Sequence, residues 1–135
     1  MLDASGDVLM KYWQPKYETM KKDELVTLQS KRLKKTAASV YNNVPFYREK
    51  FKQLGIKPED IKSVDDISKL PTTRKTDLRD NYPFGLFAVP RKDIVRIHAS
   101  SGTSGKATVV GYTRQDIATW SDLMARNLTM VGLGE

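Results

Sequence analysis

Cysteine is absent from this 135-residue chain, and histidine occurs only once. Disulfides, thiolate nucleophiles and the usual zinc arrangements are thereby excluded, so any chemistry must rest on hydroxyls, carboxylates, lysines or a bound cofactor. No apolar run approaches the roughly 20 residues that a membrane span requires. The opening MLDASGDVLMKYW also lacks the basic-then-apolar order of a secretory signal. These features lead us to expect a cytoplasmic protein with no membrane partner. Repeats and low-complexity segments are likewise missing, which removes solenoid and tail-like architectures.

What is present suits one modest globular domain: 39% of residues are hydrophobic and 29% charged, enough of each for a core and a solvated surface. Net charge is the compositional excess, at +7. Part of it gathers in MKKDELVTLQSKRLKK, and a basic helical module that binds nucleic acid is the alternative function this raises. Acids are interspersed among those lysines, however, so a charged outer helix face is the simpler account, and nucleic acid is not the expected partner.

Apolar spacing predicts the elements. Leu25, Leu28, Leu33, Ala37, Val40 and Val44 recur mostly three or four apart, which predicts a long helix over residues 23–44 with Asp23 and Glu24 at its electropositive end. After Pro45, PFYREKFKQLG predicts a shorter helix with Phe46, Tyr47, Phe51 and Leu54 inward and Gly55 as its stop. Two short helical starts follow, at Pro58 and Asp65. Another short helix is expected from Thr72 or Thr73, halted by Pro83. The stretch YPFGLFAVPRKD, with its prolines and glycine among apolar residues, reads as a buried irregular connection. Residues 94–99 alternate, with Val95, Ile97 and Ala99 on one face and Arg96 and His98 on the other, which is a strand pattern. Thr113 and Asp116 form a capping box, and Ile117, Trp120, Met124, Leu128 and Val131 then repeat at helical spacing.

Between the predicted strands lies ASSGTSGKATVVGYT. Ser100, Ser101, Gly102, Thr103, Ser104, Gly105 and Lys106 offer hydroxyls, accessible backbone N–H groups and one ammonium, an inventory that suits phosphate. Glycine and serine are also ordinary turn residues, so a plain hairpin tip is the competing account. A Walker A loop is excluded: its signature needs glycine where Ser100 stands and a hydroxyl where Ala107 stands. TVVGYT is moreover β-branched and aromatic, so a strand and not a helix follows the loop.

SSGTSGKATVVGYT, together with NNVPFYREKF, LPTTRKTDLRDNYPFG and WSDLMAR, resembles the N-terminal part of the phenylacetate–CoA ligases, members of the adenylate-forming enzymes. The resemblance runs through nearly all of residues 23–134. It departs from the commonest pattern at Ser104, where threonine is usual, and at Ala107, where proline is usual. It implies a helix-rich α/β segment of the large adenylate-forming (AMP-binding) domain, with an antiparallel strand pair around a phosphate loop. Residues 1–135 would be the N-terminal part of that domain, and residues 1–22 a partly disordered lead-in. The implied reaction has two steps. A carboxylate, here phenylacetate or a related aryl acid, attacks the α-phosphate of ATP to give an acyl-adenylate and pyrophosphate. Coenzyme A thiol then displaces AMP.

On this resemblance Ser100, Ser101, Gly102, Thr103, Ser104, Gly105 and Lys106 hold the terminal phosphates of ATP with Mg²⁺, Lys106 being the catalytic residue of the set, and no protein residue is assigned as a metal ligand. Lys75 is carried as a candidate for the substrate carboxylate or adenylate, against the plainer reading of a surface lysine. His98 is read as packed or solvated and not as an acid or base. Ligases of this family are longer chains, so this one is expected to be a segment that cannot turn over alone, and an inactive remnant that binds no ligand is the other alternative function beside the basic nucleic-acid-binding module. Association of the full enzyme into a homo-oligomer is compatible with the same reading.

Overall fold

The computed structural model describes residues 12–101 and 105–133. The element order is α1 (Pro15–Glu18), α2 (Lys22–Asn43), α3 (Pro45–Gln53), two 3₁₀ turns (Pro58–Asp60 and Val64–Lys69), α4 (Lys75–Asp80), a further 3₁₀ turn (Arg91–Asp93), β1 (Ile94–Ala99), β2 (Val109–Thr113) and α5 (Arg114–Met130). Among the described residues the fold is therefore a helix-rich α/β arrangement, with α2 and α3 packed together and one antiparallel strand pair set against α5.

The long helix predicted over 23–44 is α2, displaced by one residue, with Asp23 and Glu24 in its first turn where the macrodipole favours acids. Its apolar stripe makes the core: Ala37, Phe51 of α3 and Ile61 are buried together. Leu33, Val40, Tyr41, Ile56 and Leu70 pack around them. Tyr41 meets Phe51 edge-on at 5.5 Å between ring centroids, a geometry that the ring quadrupoles favour. Ser30 of α2 also accepts the Val64 N–H at 3.0 Å, which ties the second 3₁₀ turn to the long helix.

Gly55 closes α3 as predicted. Its φ is +67°, and the N–H groups of Gly55 and Ile56 reach the carbonyls of Lys52 and Phe51 at 3.0 and 3.1 Å, the bond pair of a Schellman motif. Leu54, expected inward, is instead 54% exposed, because the chain leaves the helix at that residue and turns its side chain off the buried stripe.

The short helical starts near Pro58 and Asp65 are 3₁₀ turns, the second beginning at Val64. The Asp66 carboxylate accepts the N–H groups of Lys62 and Ser63 at 2.8 and 3.0 Å. Helix α4 begins at Lys75, later than the threonines, because Asp77 accepts the Arg74 N–H at 2.7 Å and so places the cap at Arg74. The connection expected to be buried over 82–93 is irregular but half-buried to exposed: no residue in it is buried. Its apolar groups have a two-stranded sheet to lie on, which covers one side of them at most.

In the strand pair, Arg96 faces Tyr112, His98 faces Val110 and Ala99 faces Val109, with an irregularity between Ile94 and Arg96. Gly111 is where the connection comes closest. A Cβ there would lie 2.5 Å from the ring of Phe87, so only glycine lets that ring pack against the strand. The capping box of α5 forms as predicted, with Thr113 Oγ1 accepting the Asp116 N–H at 3.1 Å and Asp116 accepting the Thr113 N–H at 2.8 Å.

Candidate functional site

Strand β1 ends at Ala99 and β2 begins at Val109, so the predicted phosphate residues fall on the segment that joins them. Ser100 and Thr108 close its neck. The Ser100 N–H donates to the Thr108 carbonyl at 3.0 Å, and Ser100 Oγ accepts the Thr108 N–H at 3.0 Å and the Thr108 hydroxyl at 3.1 Å. Both lone pairs of that hydroxyl are thus engaged, and its own hydrogen has no acceptor among the described residues.

Beyond the neck, Ser101, Gly105 and Lys106 are exposed. Gly105 holds φ at +117°, with no described residue outside its chain neighbours within 4 Å of the position a Cβ would take. A backbone in that conformation is open to close approach by a ligand, and it disfavours any side chain. Lys106 has no ion-pair partner among the described residues, so its ammonium is available. Gly102, Thr103 and Ser104 lie outside the described residues.

Lys75 is exposed at the start of α4. No hydrogen bond or ion pair joins it to the described part of the loop. Its helix does flank the outgoing strand, since Leu78 shares a cleft of about 560 Å³ with Val109, Gly111 and Thr113.

Sequence reasoning missed what lies behind the loop. His98, Tyr112 and Trp120 form a three-ring cluster, with centroids 5.0 Å apart for His98–Tyr112 and 5.6 Å for each ring against Trp120. The Arg96/His98 face of β1 is therefore the one turned toward α5, while Val95 and Ile97 are 51% and 53% exposed. An alternating pattern marks the two faces without saying which one a helix will cover.

The charged groups held away from their ordinary titration lie elsewhere. Asp66 is lowered from 3.8 to about 2 by its bond from Lys69, helped by the N–H groups of Lys62 and Ser63. Asp77 is lowered by the Arg74 N–H and then by Lys50, whose ammonium is 3.1 Å away. Both carboxyls fasten connections. Among the described residues no group of His, Asp or Glu is arranged to hold a metal ion, and no helix is long and apolar enough to cross a membrane.

No protein-family model matches the chain. Solved structures do. The structure of 2-hydroxyisobutyryl-CoA ligase in the postadenylation state in complex with 2-HIB-AMP aligns with a TM-score of 0.80 and 32% identity, over 90% of this chain and 26% of that one. The same enzyme with 2-HIB-AMP and CoA in the thioesterification state aligns with a TM-score of 0.77 and 33% identity, over 85% and 25%. The fold is that of one part of a CoA ligase.

Sequence similarity narrows the class. The chain is homologous to a segment of the phenylacetate–coenzyme A ligases. It is 49% identical over 120 residues to the enzyme of Thermus thermophilus and 55% identical over 115 residues to that of Escherichia coli. These stretches are 89% and 85% of this chain but 27% and 26% of the relatives, so the chain spans about a quarter of the length of the curated relatives it matches.

Proposed function

We propose that this chain serves as the phosphate-loop segment of an aryl acid–CoA ligase, an enzyme that activates phenylacetate with ATP and passes the acyl group to coenzyme A. The observation that carries the reading is the loop itself: a neck closed by Ser100 and Thr108, then an exposed Gly105 backbone and a Lys106 with no ion-pair partner among the described residues, in a chain half identical to phenylacetate–coenzyme A ligases.

Its chemistry follows from the residues. Adenylation expels pyrophosphate, so negative charge builds on the leaving phosphates as the α-phosphate is attacked. The hydroxyl of Ser100, and the hydroxyls and backbone N–H groups from Ser101 to Gly105, would donate to those oxygens, and Lys106 would neutralise them, with no reorganisation needed at the moment of reaction. Mg²⁺ would be carried by the ATP phosphates and completed by water and by hydroxyl oxygen such as that of the exposed Ser101. Its contribution when bound is charge neutralisation on the same oxygens. Lys75 is assigned to the substrate carboxylate or adenylate, a role consistent with an exposed ammonium on the helix beside β2.

A chimera tests the proposal. The corresponding segment of the E. coli phenylacetate–coenzyme A ligase is replaced by this chain's residues, and ATP–pyrophosphate exchange is measured with phenylacetate and with 2-hydroxyisobutyrate. Exchange that depends on phenylacetate is expected. A folded chimera that exchanges nothing, or responds only to 2-hydroxyisobutyrate, would contradict it. The isolated chain is expected to show no turnover with ATP, phenylacetate and coenzyme A.

A further inference from the structure

We propose that His98 is a positioning residue for the loop: its ring, set against Tyr112 and Trp120, fixes the loop end of the strand pair to α5 and so holds the Ser100–Thr108 neck in place. The proposal deepens the phosphate-loop reading, on which its catalytic consequence rests.

The three rings come from three elements: the strand entering the loop, the strand leaving it and the helix that follows. His98 stands two residues before Ser100, paired with Val110, and its ring meets Tyr112 at 62° and Trp120 at 72°, both edge-on contacts. Tyr112 in turn stacks on Trp120 at 22°. The base of the strand pair is held on its other face, where Phe87 lies against Gly111 and Ile94.

The loop end has little else to hold it. Past Ile94, every residue of β1 is exposed. An isolated two-stranded ribbon is marginal in water, so the direction in which this one presents its loop depends on packing at both ends. The imidazole nitrogens make no hydrogen bond to any described residue, which leaves the ring faces and edges as what His98 contributes. A phosphate loop must be ordered around its ligand, and a neck that moves against α5 adds to the ordering required for each ATP bound.

Two measurements test this. In the 135-residue chain, amide exchange is followed at the Ser100 and Thr108 N–H groups. His98→Ala should speed both by about tenfold, the effect of losing two ring contacts. His98→Phe, which keeps a ring and removes every titratable or hydrogen-bonding function, should leave them near the parent rate. In the chimera, His98→Ala should raise KM for ATP and slow pyrophosphate exchange by about tenfold, while thioester formation from supplied phenylacetyl-adenylate is unchanged; His98→Phe should restore exchange. Unchanged neck exchange in His98→Ala would overturn the proposal, as would a His98→Phe variant as impaired as His98→Ala. A parent chimera with no exchange would count against the ligase reading alone, and the amide measurement would still decide the role of His98.

Discussion

Replacing Gly111 by alanine should destabilise the chain, and the structure sets the scale. The new methyl would stand 2.5 and 2.6 Å from two carbons of the Phe87 ring and 3.2 Å from the Ile94 side chain. Carbon atoms do not approach so closely, so the ring must move, and Phe84, whose centroid is 5.3 Å from that of Phe87, limits where it can go. Overpacking of this kind costs about 1–3 kcal/mol. With a urea slope of about 2 kcal/mol per molar, the unfolding midpoint should fall by about 1 M, read from the fluorescence of Trp120 and Trp13. Gly111→Ala combined with Phe87→Leu should recover part of the loss, since the shortened side chain vacates the space the methyl needs. A single variant as stable as the parent would refute the close packing inferred here. So would a double variant whose loss equals the sum of the two single losses.

Other expectations follow from particular contacts. Thr113→Ala removes the hydroxyl that caps α5 and should cost about 1 kcal/mol in urea unfolding, with Thr113→Ser close to the parent. Asp66 has a folded pKa of about 2 against an ordinary 3.8, so its stabilisation is present above the ordinary value and fades as pH falls through the folded one. The stability gap between the parent and Asp66→Asn should accordingly be widest near pH 5 and close between pH 4 and pH 2. Net charge aside, the chain should show no binding to DNA or RNA at low salt; tight binding with a steep loss on adding salt would instead support the basic-module alternative.

The helices were legible where one stripe of apolar residues decides the matter. Ala37 sits where α2 buries its stripe, with Leu33 and Val40 packed beside it, and Phe51 falls on the inward side of α3. Thr113 and Asp116 announced the start of α5 because a capping box is a local bargain between neighbours in sequence. Leu54 was misread because a hydrophobic residue at a helix end follows the exit of the chain and not the helix period. The connection over 82–93 was misread because apolar composition signals burial only when enough structure surrounds it, and here the sheet has two strands. The ring cluster and the Gly111–Phe87 contact were invisible for another reason: each joins residues from separate elements, and nothing local marks them. The loop is the mixed case, its inventory plain in SSGTSGK and its closure by Ser100 and Thr108 apparent only in three dimensions.

The central claim is that Lys106 serves the departing phosphates, and comparison of the two half-reactions tests it most directly. Pyrophosphate leaves only in adenylation, so a lysine on its oxygens stabilises that transition state and is out of contact when the thiol attacks. In the chimera, Lys106→Ala should slow pyrophosphate exchange by about 30- to 1,000-fold, the equivalent of about 2–4 kcal/mol, while thioester formation from supplied phenylacetyl-adenylate stays near the parent rate. Equal slowing of both half-reactions, or slowing of neither, would contradict the assignment and leave the segment between β1 and β2 as a hairpin tip.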